Sequence, residues 1–351
     1  MAGHSPHFSL TLGSLRSDTD SPAGGPSYFA VDRSLELPAD GLRVVLAERG
    51  EVVPGDVAEL ELGDEDGLER VFTGTVVEVR PHAAGVEVFA AGTVLALLEL
   101  RASSYYQEQT AGDIARDLIG KAGLDAGDIS DGVTLPRFAV ERRRSAWPQL
   151  KRLAERLGFD VFSDREGKIH FRGLGEAANL GAGGLAGAAA GAAGAVGALA
   201  GGGGALAFGK HLIATGGVSR PALERKVVVG GESPMSGQGE DKSFWLTAKD
   251  TDFEDSAGDG EETLVLDTVA RTKDLAGRFA AGYLAGLRRT RREQRVTVLG
   301  QADLDLGAPL ETVDAPEALL NARGFVKALR HRFGGGIGFL TEATLCVEGG
   351  E

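Results

Sequence analysis

The sequence predicts a mainly β protein of the α+β class, with two small β-barrel domains and an α/β insert between them. Three observations predict it. Short runs of alternating apolar and polar residues, separated by Gly- and Pro-containing turns, fill residues 1–100 and recur in 208–351. Two amphipathic helices and a tight hairpin follow one another over residues 101–174. A tract of glycine, alanine and a few leucines, residues 175–207, separates the insert from the second β region.

In the first region the candidate strands are FSLTL, LRVVLAER, VAELELG, VFTGTVVEVR and VEVFAAGTVLALLEL, with Pro54-Gly55 and the run from Gly63 to Gly67 as turns. The alternation is clearest where Val57, Glu59 and Glu61 oppose Ala58, Leu60 and Leu62, the pattern of a strand with one buried face.

The insert begins with Thr110 three residues before Asp113, a spacing that lets each side chain bond the other's backbone N–H and start a helix. Ile114, Ala115, Leu118, Ile119 and Ala122 then share one face, and Gly123 closes the helix. Ser145 is placed to cap the second helix, Pro148 is tolerated in its first turn, and Gly158 is placed to stop it. Leu150, Leu153, Ala154 and Leu157 form its stripe. FDVFS, the turn DREG and KIHFR make a hairpin.

The Gly/Ala tract carries no charge between Glu176 and Lys210. Its composition reads as a flexible tether, because glycine this dense loses much entropy when ordered. Gly183, Gly187 and Gly191, four residues apart, leave open a second reading in which helices approach closely in a membrane or around an oligomer axis. Beyond it, LERKVVVGGE and FWLTAKD read as strands, the acidic stretch from Asp250 to Glu262 as a loop, and Gly216-Gly217 and Gly230-Gly231 as turns. A long helix is expected from about Thr268 to Arg292, with Leu275, Phe279, Tyr283, Leu284 and Leu287 as its buried face. RVTVLG, ARGFVKALRHRF and FLTEATLCV complete the second β region, and Phe325, Lys327, Leu329 and His331 are expected on one side of their strand.

A formal net charge of −14 argues against a nucleic-acid surface, which needs clustered cations to displace counterions. The single Cys346 excludes an intramolecular disulfide framework, and the N-terminus lacks the basic and apolar runs of a secretory signal. His4 and His7 form at most half a metal site, Asp250 to Asp255 lack the glycine and terminal glutamate of a calcium loop, and no glycine cluster continues into a phosphate-binding Gly-Lys-Ser/Thr. No nucleophile lies beside a base, and no cofactor site is expected. His331, between two arginines, reads as a hydrogen-bonded rim residue. Two basic clusters, Arg142–Arg144 and Arg288–Arg295, are read either as solvated or internally paired faces, or as docking edges for acidic neighbours.

The order of these segments, VFTGTVVEVR, then YYQEQTAGDIARDLIGKAGL, then the tryptophan helix with FDVFSDREGKIHF, then FVKALRHRFGGGIGFLTEATL, resembles the phage late control protein D family, the baseplate hub proteins of contractile tails. The N-terminal part of VgrG in type VI secretion and the hubs of extracellular contractile injection systems share that fold. The resemblance runs from about Leu35 to Val347. It implies a hub-like structural protein, not an enzyme, forming a trimeric ring in which each copy supplies two β-barrels and adapts a sixfold inner tube to a threefold spike.

The implied partners are two further copies, the tube protein, a spike protein and other baseplate proteins. The few residues after Val347 imply a spike on a separate chain. Assembly in the bacterial cytoplasm, into a phage tail or injection particle, follows from the same resemblance. Tyr105, Tyr106, Arg142, Arg143, Arg144, Trp147, Phe325 and His331 are the residues expected to serve contacts between subunits or with neighbours. Two alternatives stay open: a tail-associated cell-wall hydrolase, which requires paired carboxylates, and a membrane-engaging tail component acting through the Gly/Ala tract.

Overall fold

A computed structural model describes residues 6–48, 50–175, 205–220, 225–231, 253–289 and 291–347. The first β region contains β1 (His7–Leu12), β2 (Leu15–Asp18), β3 (Pro26–Ser34), β4 (Gly41–Leu46), β5 (Val57–Asp64), β6 (Gly67–His82) and β7 (Gly85–Gly92). Next come α1 (Leu95–Glu99), β8 (Ser104–Thr110), α2 (Ala111–Lys121), β9 (Ala126–Ile129), β10 (Thr134–Val140), α3 (Ala146–Leu157), β11 (Phe159–Ser163) and β12 (Ile169–Gly173). The remaining elements are β13 (Ala205–Ala207), β14 (Leu212–Ser219), β15 (Arg225–Gly231), β16 (Glu254–Ala257), β17 (Glu261–Asp267), α4 (Lys273–Arg289), β18 (Arg292–Leu299), β19 (Pro309–Val313), β20 (Arg323–Gly334) and β21 (Gly338–Val347).

Strands from both β regions make one 13-stranded sheet, ordered β14-β18-β21-β20-β3-β4-β7-β6-β5-β1-β2, with β13 and β19 alongside. The junction is the antiparallel pair β3–β20, in which Phe29 faces Phe333 and Val31 faces His331. Aromatic packing crosses it: Phe8 and Phe29 lie 4.9 Å apart, and Phe333 is 5.5 Å from each. On β5 Ala58, Leu60 and Leu62 are fully buried, as the alternation predicts. They join Leu10, Leu12, Val44 and Phe72 in the core of the first region.

In the insert the Thr110 hydroxyl accepts from the Asp113 N–H at 3.0 Å while the Asp113 carboxylate accepts from the Thr110 N–H, the reciprocal cap that starts α2. Gly158 ends α3 in the left-handed conformation, φ 69°. Leu150, Leu153, Ala154 and Leu157 pack with Leu118, Ile119, Phe159 and Phe171, and the same core takes in Val227 and Val229 of β15 and Leu275, Phe279 and Leu284 of α4. The three-stranded sheet β16-β15-β17 and α4 thus share their apolar interior with the insert. Cys346 is buried in a third core with Val296, Leu329 and Leu345.

Several expectations are corrected. The end of VEVFAAGTVLALLEL is not strand: β7 stops at Gly92, and Leu95–Glu99 coil into α1 with Leu97 buried. The described part of the acidic stretch forms β16 and enters β17, because β15 supplies hydrogen-bonding partners on both sides, antiparallel to β16 and parallel to β17. Gly216-Gly217 lie within β14 opposite Arg295 and Gln294, and Gly230-Gly231 end β15. The long helix is confined to Lys273–Arg289, with Leu287 46% exposed. Ser145 makes no side-chain cap. The Gln149 amide braces that turn instead, accepting from the Glu141 N–H and donating to the Ser145 carbonyl. A register shift between Val326 and Ala328 breaks the alternation of β20, so Val326 is buried beside Phe325. His4, the FWLTAKD strand and the Gly/Ala tract from 176 to 204 lie outside the described residues.

Candidate assembly surfaces

The position of every surface depends on how the β regions and the insert are locked together. The Arg33 guanidinium, enclosed on β3, ion-pairs with Asp40 at 3.1 Å and with Asp305 at 2.7 Å, and donates to the Ser163 carbonyl of β11 at 2.7 Å. The Ser163 hydroxyl donates at 2.8 Å to the same Asp40 carboxylate oxygen that Arg33 contacts. Three parts of the chain therefore meet at one cation. Burial opposes the charge on Arg33, but the Asp305 and Asp40 carboxylates outweigh it and hold the group protonated well above its ordinary range. Next to it His331 is 1% exposed, its Nδ1 3.0 Å from the Thr341 hydroxyl. Burial, reinforced by the Arg33 charge, pushes its pKa down to about 3, so the ring is neutral.

The structure divides the sequence-predicted contact residues. Tyr105 is 61% exposed, and Arg142, Arg143 and Arg144 are exposed in the turn before α3. The side chains of Tyr106, Trp147, Phe325 and His331 are turned inward. Tyr106 packs against Phe138 and donates to Asp117 at 2.5 Å, and its burial beside that carboxylate raises its pKa to about 12. Trp147 belongs to the insert core and Phe325 to the core around Cys346. His331 is no rim residue, because β20 is central, flanked by β3 and β21. The second basic cluster is partly paired within the chain: Arg289 binds the Asp160 carboxylate and donates to the Gly158 carbonyl at 2.6 Å.

Two surfaces escaped sequence reasoning. Among the described residues the large sheet ends in unpaired edges at β14 and β2, and Ile213 and Val218 of β14 are exposed. Such edges favour strand-to-strand association. The other is a groove between β10, α3 and the turn before α4, lined by Tyr105 and Arg144 together with Arg137, Arg152, Arg156 and Arg271. One signal for it was present, since Gln149, Arg152 and Arg156 recur at three- and four-residue spacing along one helical face.

Among the described residues no three His, Cys, Asp or Glu side chains come together to hold a metal ion, and no helix is long and apolar enough to cross a membrane. No family model and no curated protein sequence matches the chain. Solved structures do. The 43 kDa tail protein of prophage MuSo2 from Shewanella oneidensis aligns over 97% of this chain and 98% of its own, with TM-score 0.66 at 14% identity. The tail protein from Neisseria meningitidis MC58 aligns over 98% and 97%, with TM-score 0.67 at 14% identity. The chain has the hub-like fold of phage tail proteins. An E. coli component of the type VI secretion system, described as similar to the bacteriophage T4 tail proteins gp27 and gp5, shares this hub-like fold over 97% of this chain and 77% of its own, with TM-score 0.57 at 12% identity.

Proposed function

We propose that this chain is a structural hub component of a phage tail or a contractile injection machine. The observation that carries the reading is the fold, which matches phage tail proteins from end to end at 14% identity. A core tolerates extensive substitution while its volume and patterning are kept, so the fold persists at this identity, and the functional reading is by analogy of fold.

On this reading three copies close into a ring. Each copy presents its two β regions, residues 1–100 and 208–351, as barrel-like units around the axis, so that a threefold ring offers a near-sixfold face to the inner tube and a threefold face to a spike. The insert, residues 101–174, decorates the outside, and Tyr105 with Arg142, Arg143 and Arg144 contacts neighbouring baseplate proteins. The exposed edges β14 and β2 support closure between copies, since a ring of chains pairs edges that a single chain leaves open. The particle is assembled in the bacterial cytoplasm.

Electron microscopy of the purified chain, alone and mixed with the tube and spike proteins of its own gene cluster, tests this. Threefold rings that cap tubes are the expected result. A chain that stays monomeric at high concentration and binds neither partner would overturn it.

A further inference from the structure

The groove between β10, α3 and the turn before α4 has a volume of about 500 Å3, and among the described residues it is lined by five arginines and a single carboxylate, Glu141. On a chain of net charge −14 this concentration of cations has to be explained by what it faces. Arg156 is neutralised inside the fold, since its Nε lies 2.6 Å from Asp267 and the Tyr283 hydroxyl donates to the same oxygen. Among the described residues, the exposed Arg137, Arg144 and Arg152 have no carboxylate partner, and the partly buried Arg271 carries an enclosed Nε with no hydrogen-bond acceptor.

The geometry is pre-set. Arg137 and Ala139 share the exposed face of β10, and Ala139 stands in register with Tyr105 of β8, so the strand pair forms one wall. Arg152 and Arg156 project from α3 on the other side. Gln149 ties the turn that carries Arg144, donating to the Glu141 carbonyl at 3.0 Å and accepting from the Glu141 N–H at 2.8 Å. Guanidinium groups held on rigid elements lose little freedom when they engage a carboxylate, and an exposed tyrosine at the rim offers a flat apolar anchor.

We propose that this groove is the docking site for an acidic polypeptide segment, rich in Asp and Glu, of another protein in the assembled particle. The proposal rests on the assembly role argued above and names the chemistry of one partner. Carboxylates fit better than a nucleic acid here. A long polyphosphate chain meets the repulsion of a protein of net charge −14, which a short acidic segment confined to the groove largely escapes.

The test uses a fluorescein-labelled oligoglutamate peptide and the full chain, with binding read by fluorescence anisotropy at low ionic strength. Saturable binding is expected, weakened by added salt and weakened about tenfold in the Arg137→Gln/Arg152→Gln double variant, each exposed pair accounting for a few-fold. Arg16→Gln, remote from the groove, is expected to bind as the parent does. Both substituted arginines are solvent-exposed, and an unchanged thermal midpoint shows that the variant folds. No binding, equal binding by parent and double variant, or tighter groove-dependent binding of single-stranded DNA of matched charge would each overturn the proposal. Loss of ring formation in the double variant would also do so, since the groove would then be a contact between copies. Rings that persist while peptide binding falls separate this proposal from the hub reading itself.

Discussion

Arg33 and Asp305 meet at 2.7 Å although 272 positions of sequence separate them, and the side chain of the arginine is 1% exposed. The pair ties β3 to the loop after β18, and Asp40 and Ser163 bring the insert hairpin to the same point. A buried cation of this kind contributes little net stability over an apolar replacement of the whole cluster, but removing it alone strands its partners. Arg33→Leu is therefore expected to leave Asp40 enclosed and uncompensated and to lower unfolding stability by about 3–5 kcal/mol. Urea denaturation measures it. A loss below about 1 kcal/mol, as found for exposed pairs, would mean that water reaches the cluster.

His331 gives the same region a pH dependence of defined sign. Its pKa falls from 6.5 to about 3 on folding, through burial first and the Arg33 charge second. Below about pH 6.5 the unfolded chain takes up a proton that the folded chain does not, so stability contributed at neutral pH is lost as pH falls, at up to about 1.4 kcal/mol per unit. His331→Leu removes that proton uptake and adds a constant cost for the lost Thr341 contact. The stability difference between parent and variant is expected to shift by about 1 kcal/mol in the variant's favour between pH 7 and pH 5.5. A difference that stays constant over that range would show that the ring titrates normally in the fold.

The features legible in the sequence are those decided by near neighbours. The alternation at Ala58, Leu60 and Leu62, the Thr110–Asp113 cap and the Gly158 stop each depend on residues within a few positions, and all three stand in the structure. The junction of β3 with β20 was not legible, because pairing Val31 with His331 is a choice among many registers that only the assembled core discriminates. β16 was hidden for a related reason. EDSA has the composition of a solvated loop and becomes a strand through the backbone groups β15 presents to it. Among the proposed contact residues, the exposed Tyr105 and buried Tyr106 differ by one position, and the period of β8 decides which faces water. The arginine groove draws Arg137, Arg152 and Arg271 from separate elements, so no local pattern contains it.

The approach of α3 to α4 depends on two glycines that face each other. A Cβ on Gly282 would sit 2.2 Å from the Arg156 carbonyl oxygen and 2.7 Å from the Gly158 nitrogen, both backbone atoms that no side-chain rotation can move. A Cβ on Gly158 would meet the Gly282 carbonyl oxygen at 3.2 Å, a tighter contact than usual but one that a small shift relieves, with the added strain of φ 69°. Gly282→Ala is thus expected to force the helices apart, opening the core around Phe279 and Leu284, at a cost of about 3 kcal/mol. Gly158→Ala is expected to cost about 1–2 kcal/mol, the left-handed penalty alone. Alanine generally favours a helix over glycine by about 1 kcal/mol, so propensity predicts the opposite sign at position 282. Thermal unfolding of the two variants decides between them: a Gly282→Ala protein as stable as its parent would show that α3 and α4 lie farther apart than the backbone contact requires.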